Sequence, residues 1–286
     1  MTTAPSAPAG PTGTTFAAIT PPAADAPTPG LWRTFVAVLW RDTFVTWREV
    51  GSFLTQVIIQ PLFMLFVFGT VLNQLGYVVP GYAALLLPGI VVLTGFVTAL
   101  QNTMLPMVVE FSWTNEIEDR LLAPMPIALL AVEKLLFATL RGLVAAIVMV
   151  PIGLVVLDDV AWPAVALPAA AGVLVLGCLV GAALGLVIGT SIPPQHINVM
   201  FSVLLLPLTF TGATQFPLLG LDSLRWFQVL CLVNPLTYAT ESVRALLIPA
   251  EQLRSLSPAI GLPVLLAAIA LLTALGVRGF VRRSRS

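Results

Sequence analysis

Six long, mainly apolar runs, each about 20 residues or longer, dominate this sequence and leave few folds open to it. A helix needs roughly 20 mainly apolar residues to cross a hydrocarbon core about 30 Å thick. An outer-membrane barrel would instead show short segments of alternating polarity. Continuous runs therefore predict helical spans and an all-α integral membrane protein. The supply of charge agrees. Of 286 residues, 58% are apolar and 9% charged, whereas an ordinary soluble domain is about 25% charged. The 13 basic and 13 acidic side chains cannot cover a water-facing surface, which excludes a soluble enzyme and a disordered scaffold. The formal net charge is zero, so nothing calls globally for nucleic acid.

The runs place spans at about 52–73, 84–109, 127–157, 163–190, 196–214 and 259–280. The first contains Gln60-Pro61, a predicted kink, because proline removes a backbone hydrogen bond. The third is long enough at 1.5 Å per residue to extend beyond the core, which lets Glu133, Lys134 and Arg141 sit near its cytoplasmic end. Before the first span, residues 31–49 gather Trp32, Val36, Leu39, Trp40 and Trp47 on one helical side beside a stripe of Arg33, Arg41 and Arg48. This pattern suits a helix lying in the membrane interface, the alternative being a plain basic flank. Residues 1–30 are rich in Ala, Pro, Thr and Gly, with neither a basic start nor an apolar signal region, and read as a disordered cytoplasmic tail. Between the last two spans, an apolar stretch carries Asp222, Arg225, Glu241, Arg244, Glu251 and Arg254. Each such charge at the centre of a spanning helix would cost several kcal/mol. The stretch is therefore predicted to be a re-entrant or surface-lying helical pair on the outer side.

Basic residues in the flanks set orientation. With the N-terminus inside, the inner segments hold Arg33, Arg41, Arg48, Arg120, Lys134, Arg141, Arg278, Arg282, Arg283 and Arg285, and the outer segments only Arg225, Arg244 and Arg254. Both termini are thus expected in the cytoplasm. The single lysine, Lys134, fits the composition of a GC-rich bacterial genome.

Catalytic constellations are missing from the sequence. It has no GxxxxGK[ST] phosphate loop, no HExxH, no CxxC and no GxSxG elbow. His196 stands alone, Cys178 and Cys231 lie in different regions without metal or disulfide spacing, and Asp158-Asp159 sits at an outer turn where solvation explains it. Three other features stand out. In the inner loop between spans two and three, Asn115 can cap a helix whose first turn carries Glu116, Glu118 and Asp119, followed by Arg120. The Asn-x-x-Glu spacing resembles a capping box, Ile117 and Leu121 give an apolar side, and Pro124 and Pro126 end the element. A helix this short is marginal alone, so it is either a capped loop or a docked element. In span four, Gly177, Gly181, Gly185 and Gly189 recur every four residues and form a smooth ridge for close helix approach, within the chain or between chains. In the outer segment, Asn234 followed by Pro235 starts a helix that can run to Ile248 before Pro249. Tyr238, Glu241 and Arg244 follow along its turns, Glu241 and Arg244 sharing a face. A paired charge there is expected where water is near, in a gate or in a passive covering loop.

At these residues the sequence resembles the ABC-2 type family of ABC exporter permeases, including the daunorubicin-resistance-like drug permeases, over about residues 31–283. NPLTYATESVRALL, from Asn234 to Leu247, is similar to that family's segment before the last span, and Phe216-Pro217 fits the end of its fifth span. EIEDRLLAPMPIALLAVEKLL resembles its cytoplasmic segment after the second span, although Leu121-Leu122 follows Arg120 where the family has Gly-Thr. The resemblance implies a permease subunit in a bacterial plasma (inner) membrane, six spans in its transmembrane domain and no cofactor of its own. It implies a second permease subunit, the same or related, and two ABC ATPase subunits that bind ATP and Mg. Residues 31–49 would be the connecting helix, and Asn115, Glu116, Glu118, Asp119 and Arg120 the ATPase-coupling helix. Residues 216–249, with Asn234, Pro235, Tyr238, Glu241 and Arg244, would be the outer gate. Family substrates run from amphipathic drugs, as in multidrug resistance, to lipids and lipid-linked glycans. Few ionisable residues lie in the spans, which argues against a strongly charged solute at mid-depth. The alternative is a secondary carrier or channel without an ATPase partner, which would be expected to place acids or interrupted helices near mid-membrane.

Overall fold

The computed structural model describes residues 32, 35–37, 39–41, 50–77, 81–109, 126–157, 160–193, 196, 201–251 and 253–283. Among them every regular element is helical, and five helices are long and apolar enough to cross a bilayer. The first, α1, is α-helical over Val50–Leu65, π-helical over Phe66–Val71 and α-helical again over Leu72–Gln74. Then come α2 (Tyr82–Val109), α3 (Ile127–Val156) and α4 (Leu167–Ser191), the last preceded by a 3-10 turn at Ala164–Ala166. A π-helical turn, Phe201–Leu205, leads into the short α5 (Leu206–Thr211). Two further short helices, α6 (Arg225–Val233) and α7 (Pro235–Leu247), precede the last long one, α8 (Pro258–Arg283).

The five long helices overlap the first, second, third, fourth and sixth of the expected spans. Of the expected fifth span, His196 and residues 201–214 are described, helical from Phe201 to Thr211, so a sixth crossing remains an expectation. The tail 1–30, the inner-loop residues Asn115, Glu116, Ile117, Glu118, Asp119 and Arg120, the Asp158-Asp159 turn, and Arg33, Trp47 and Arg48 lie outside the described residues. In the interfacial stretch, Trp32 and Trp40 are strongly exposed, while Phe35 is buried with its ring 5.8 Å from that of Trp32.

The core is built around α2, which is enclosed along most of its length by α4, α3 and α7. Leu86, Ile90, Phe96, Leu100 and Met107 of α2 are fully or almost fully buried. The glycines of α4 explain how closely the two helices meet. A Cβ on Gly181 would overlap the carbonyl of Phe96, one on Gly185 that of Leu100, and one on Gly189 would lie 3.0 Å from that of Met104. The spacing of four is thus matched on both helices, and these three glycines face the chain's own α2. Gly177 faces Ala239 of α7 instead, where a Cβ would lie 3.1 Å from that methyl group. On the other side of α2, Gly95 and Gly142 bring α3 equally near. Without hydrophobic drive between helices in lipid, such backbone proximity supplies the packing.

The periphery is looser. Most of α1 and α8 is exposed, as expected for helices that meet lipid or another subunit. Buried threonines inside the apolar helices donate back to the preceding turn, as Thr94 does to the carbonyl of Ile90 at 2.7 Å and Thr139 to that of Leu135 at 2.7 Å. At the end of α8, Arg283 donates to the carbonyls of Gly189, Thr190 and Ile192 at 3.1–3.3 Å, capping the exposed C-terminus of α4.

Pro61 lies inside the α-helical run Val50–Leu65, and π-helical turns occur at Phe66–Val71 and Phe201–Leu205.

Candidate functional site

The segment between α5 and α8 turns on residues that the sequence marks as turn and cap formers. After α5 the chain reverses through 212–217, with Ala213 at a φ of 51°. A left-handed alanine is sterically costly, and here it lets successive carbonyls converge on one side chain. That side chain is Arg244. Its Nη1 donates to the carbonyls of Ala213 and Phe216, its Nη2 to that of Thr214, and its Nε to that of Leu85 in the first turn of α2 at 3.1 Å. Nη1 also lies 3.0 Å from Oε1 of Glu241, one turn back on α7. Glu241 in turn accepts from the backbone N–H of Leu218 at 3.2 Å and of Leu256, just before α8, at 3.1 Å. Gly89 leaves the room, since a Cβ there would overlap the carbonyl of Thr214 and lie 2.7 Å from Nη2 of Arg244.

This arrangement corrects the expectation that the pair needs water. Both side chains are fully buried, and backbone dipoles replace water around them. Burial pulls the Arg244 guanidinium below its ordinary pKa, and the Glu241 carboxylate beside it pushes the other way. Arginine remains charged regardless. The two residues therefore tie α2, the 213–218 turn, α7 and the approach to α8 into one block.

Asn234 joins α6 to α7 and serves both. Its Oδ1 accepts from the N–H of Leu236 at 2.9 Å, which caps α7, with Pro235 in the first turn. Its Nδ2 donates to the carbonyl of Leu208 at 2.7 Å and the Thr211 hydroxyl at 2.9 Å, holding α5. Thr237 adds hydrogen bonds to the carbonyls of Thr211 and Cys231. Tyr238 donates to the carbonyl of Leu232 at 2.8 Å near the surface. Asn234, Pro235, Tyr238, Glu241 and Arg244, singled out in the sequence, thus lie on or next to one helix, and Asn234, Glu241 and Arg244 are buried.

Beside this block a cavity of about 230 Å³ opens between α1, α2 and α5. Gln60, Gln101, Thr94, Thr98 and Thr209 supply its polar lining, and Met64 and Val97 are among the apolar neighbours. Among the described residues, no ionisable side chain lines it. Thr94 and Thr209 use their hydroxyl protons on their own helices, whereas the amides of Gln60 and Gln101 have no hydrogen bond among the described residues. At the rim, Gln215 donates from Nε2 to the Met64 sulfur at 3.1 Å, and Tyr82 donates to the carbonyl of Gln215 at 2.7 Å. A second cavity of about 380 Å³, between α4, α5 and α6, is walled by apolar side chains with Asn234 and Thr211, whose polar groups already bond each other.

A search of the sequence for charges passes over this lining, because it is built from neutral amides and hydroxyls. The available signal is periodicity: Thr94, Thr98 and Gln101 follow one another by four and three residues and so share one face of α2. The other residues of note are elsewhere. Glu133 and Lys134 are buried in the first half of α3, and the Arg141 guanidinium stacks 4.2 Å over the ring of Phe53 in α1. Cys178 and Cys231 are free thiols, both buried.

Comparison with known proteins gives one family match. A family model described as ABC-2 type transporter covers residues 33–248. No curated protein matches the chain.

Proposed function

Because the chain belongs to the ABC-2 type transporter family, whose match covers most of its length, we propose that it is the permease subunit of an ATP-driven exporter. Two such subunits, identical or related, form the pathway in a bacterial inner membrane, and two separate ATPase subunits bind ATP and Mg beneath them. Both termini then lie in the cytoplasm. The substrate is hydrophobic or amphipathic. The family match is the observation that carries this reading.

The geometry supports a route for the work. The inner-loop residues Asn115, Glu116, Glu118, Asp119 and Arg120 connect α2 to α3, where a docked ATPase would press. From Val109 to Leu85, α2 is a rod about 36 Å long at 1.5 Å per residue. Its far end is the carbonyl of Leu85, held by Arg244. Because α4 and α3 approach α2 through glycines, the rod is gripped on two sides. A push at the inner loop would shift the outer block bodily, so the segment 216–249 acts as a gate that moves with α2.

Co-purification tests the reading. Expressed with the ATPase encoded beside it, the chain should form a complex whose ATP hydrolysis and export in vesicles depend on both partners. A chain that binds no such ATPase, or that exports substrate on an ion gradient alone, would overturn the proposal in favour of a carrier.

A further inference from the structure

The cavity between α1 and α2 holds a chemical contradiction. In hydrocarbon, a polar group without a partner is costly, and Thr94, Asn102 and Thr103 of α2 avoid that cost by bonding to the turn before them. Gln60 and Gln101 do not. They line the same cavity from two helices, Gln60 from α1 and Gln101 from α2, and neither amide meets a hydrogen-bond partner among the described residues. Each amide offers one acceptor and two donors, so together they present a complete hydrogen-bonding surface with no net charge.

We propose that this cavity binds the uncharged, hydrogen-bonding head of an amphipathic substrate, such as a hydroxyl-rich or amide head, with Gln60 and Gln101 selecting it. The inference rests on the permease reading and names the substrate class for it. Among the described residues, no ionisable side chain lines the cavity to balance a charged head, and an uncompensated ion at such a site is strongly disfavoured. Size points the same way. A volume of about 230 Å³ lies below the roughly 300–1,000 Å³ usual for a whole drug-sized ligand, so the head enters and the tail stays outside. The opening suits this, because Gln60 is exposed and Phe63, one turn on, is 68% exposed along α1. A site built to hydrogen-bond also rejects analogues that cannot, because its own polar groups are then left unpaired.

The test uses the full chain in lipid nanodiscs, with Cys178 and Cys231 replaced by alanine and Val97→Cys as a reporter in the cavity wall. Labelling of that cysteine by a neutral thiol reagent is timed with octyl glucoside, octyltrimethylammonium or octyl sulfate below their micellar concentrations. Glucoside should slow labelling several-fold more than either charged probe. Gln60→Met and Gln101→Met conserve volume, and each should raise the protecting glucoside concentration about tenfold without lowering the melting temperature. Equal protection by all three heads, or full protection in both Met variants, overturns the proposal. So does Gln60→Met that separates two copies of the chain while leaving protection unchanged, since the amide is then a subunit contact. ATPase binding is measured on the same preparations. Lost head selectivity with ATPase binding intact removes the substrate assignment alone, whereas head-selective protection without ATPase binding removes the permease reading alone.

Discussion

Arg244 and Glu241 form an ion pair of 3.0 Å in which both side chains are fully enclosed by protein. Neither residue depends on the other alone. Arg244 serves carbonyls on two other segments, and Glu241 accepts backbone N–H groups from Leu218 and Leu256. Breaking a buried pair on one side typically costs about 3–5 kcal/mol. Arg244→Ala should approach that loss, because it strands the carbonyls of Leu85, Ala213, Thr214 and Phe216 together. Glu241→Gln should cost about 1–3 kcal/mol, since it preserves shape and one acceptor. Thermal denaturation of the purified chain gives the order. An Arg244→Ala protein that melts like the parent would mean that the block is held by packing alone.

The glycine ridge makes a prediction with an internal control. Gly181→Ala sets a methyl group against the Phe96 carbonyl, while Gly172 on the same helix has nothing within 4 Å of its Cβ position. Gly181→Ala should destabilise by about 1–3 kcal/mol through overpacking. Gly172→Ala should be neutral or stabilising by up to about 1 kcal/mol, from helix propensity. Melting temperatures of the two single variants decide the matter. Equal effects would show that α4 does not seat on α2 through this face.

Asn234 is more than a cap. A lost N-cap costs about 1 kcal/mol, but Asn234→Ala also removes the Nδ2 donor that holds Leu208 and Thr211. The alanine variant should therefore lose about 2–3 kcal/mol. Asn234→Asp keeps the capping oxygen and loses the donor, so it separates the two roles. An aspartate variant as stable as the parent would leave only the cap.

How much of this was legible beforehand differs by the kind of signal. Long apolar runs, the Asn234-Pro235 start and the four-residue glycine repeat are local patterns, and helical geometry turns each into a face or an end. The partners on the other side are not local. Nothing near Arg244 in sequence announces that the carbonyls of residues 213–216 will turn toward it, because that depends on a left-handed Ala213 and on α2 crossing at Gly89. For the same reason Glu241 and Arg244 look water-seeking in the sequence alone. In isolation a charge pair looks hydrated, and only tertiary packing reveals the backbone dipoles that replace the water. The cavity amides are silent in the sequence for a third reason: Gln60 stands out there only as the neighbour of a proline, and Gln101 carries no charge.

On the permease reading, the inner loop carries a prediction of its own. If residues 115–123 dock an ATPase, Glu118→Arg with Asp119→Arg should abolish co-purification of the ATPase while the chain still inserts in the membrane. Some of the acids favour the helix start rather than contacting the partner, so single reversals should act more weakly than the pair. The co-purified ATPase is measured per inserted chain. Unchanged binding and transport by the double variant would place the coupling contact elsewhere.

The block around Arg244 can be probed by its pattern of exposure. Along α7, Leu236, Thr237 and Ala239 to Arg244 are buried, whereas Tyr238, Ala245 and Leu246 are partly exposed. Single cysteines at 236–246, in a background without Cys178 and Cys231, should react with an impermeant thiol reagent mainly at positions 238, 245 and 246. On the permease reading the reagent reaches them from outside the cell. If the block moves with α2, nucleotide bound to the partner ATPase should alter labelling at the buried positions that face α2 or the 213–218 turn. Those at the exposed positions should change little. Labelling from the cytoplasmic side would reverse the orientation of the chain. Outer labelling indifferent to nucleotide would keep the orientation and make the block a fixed cover, because a tie between Arg244 and the carbonyl of Leu85 that survives every state transmits nothing across it.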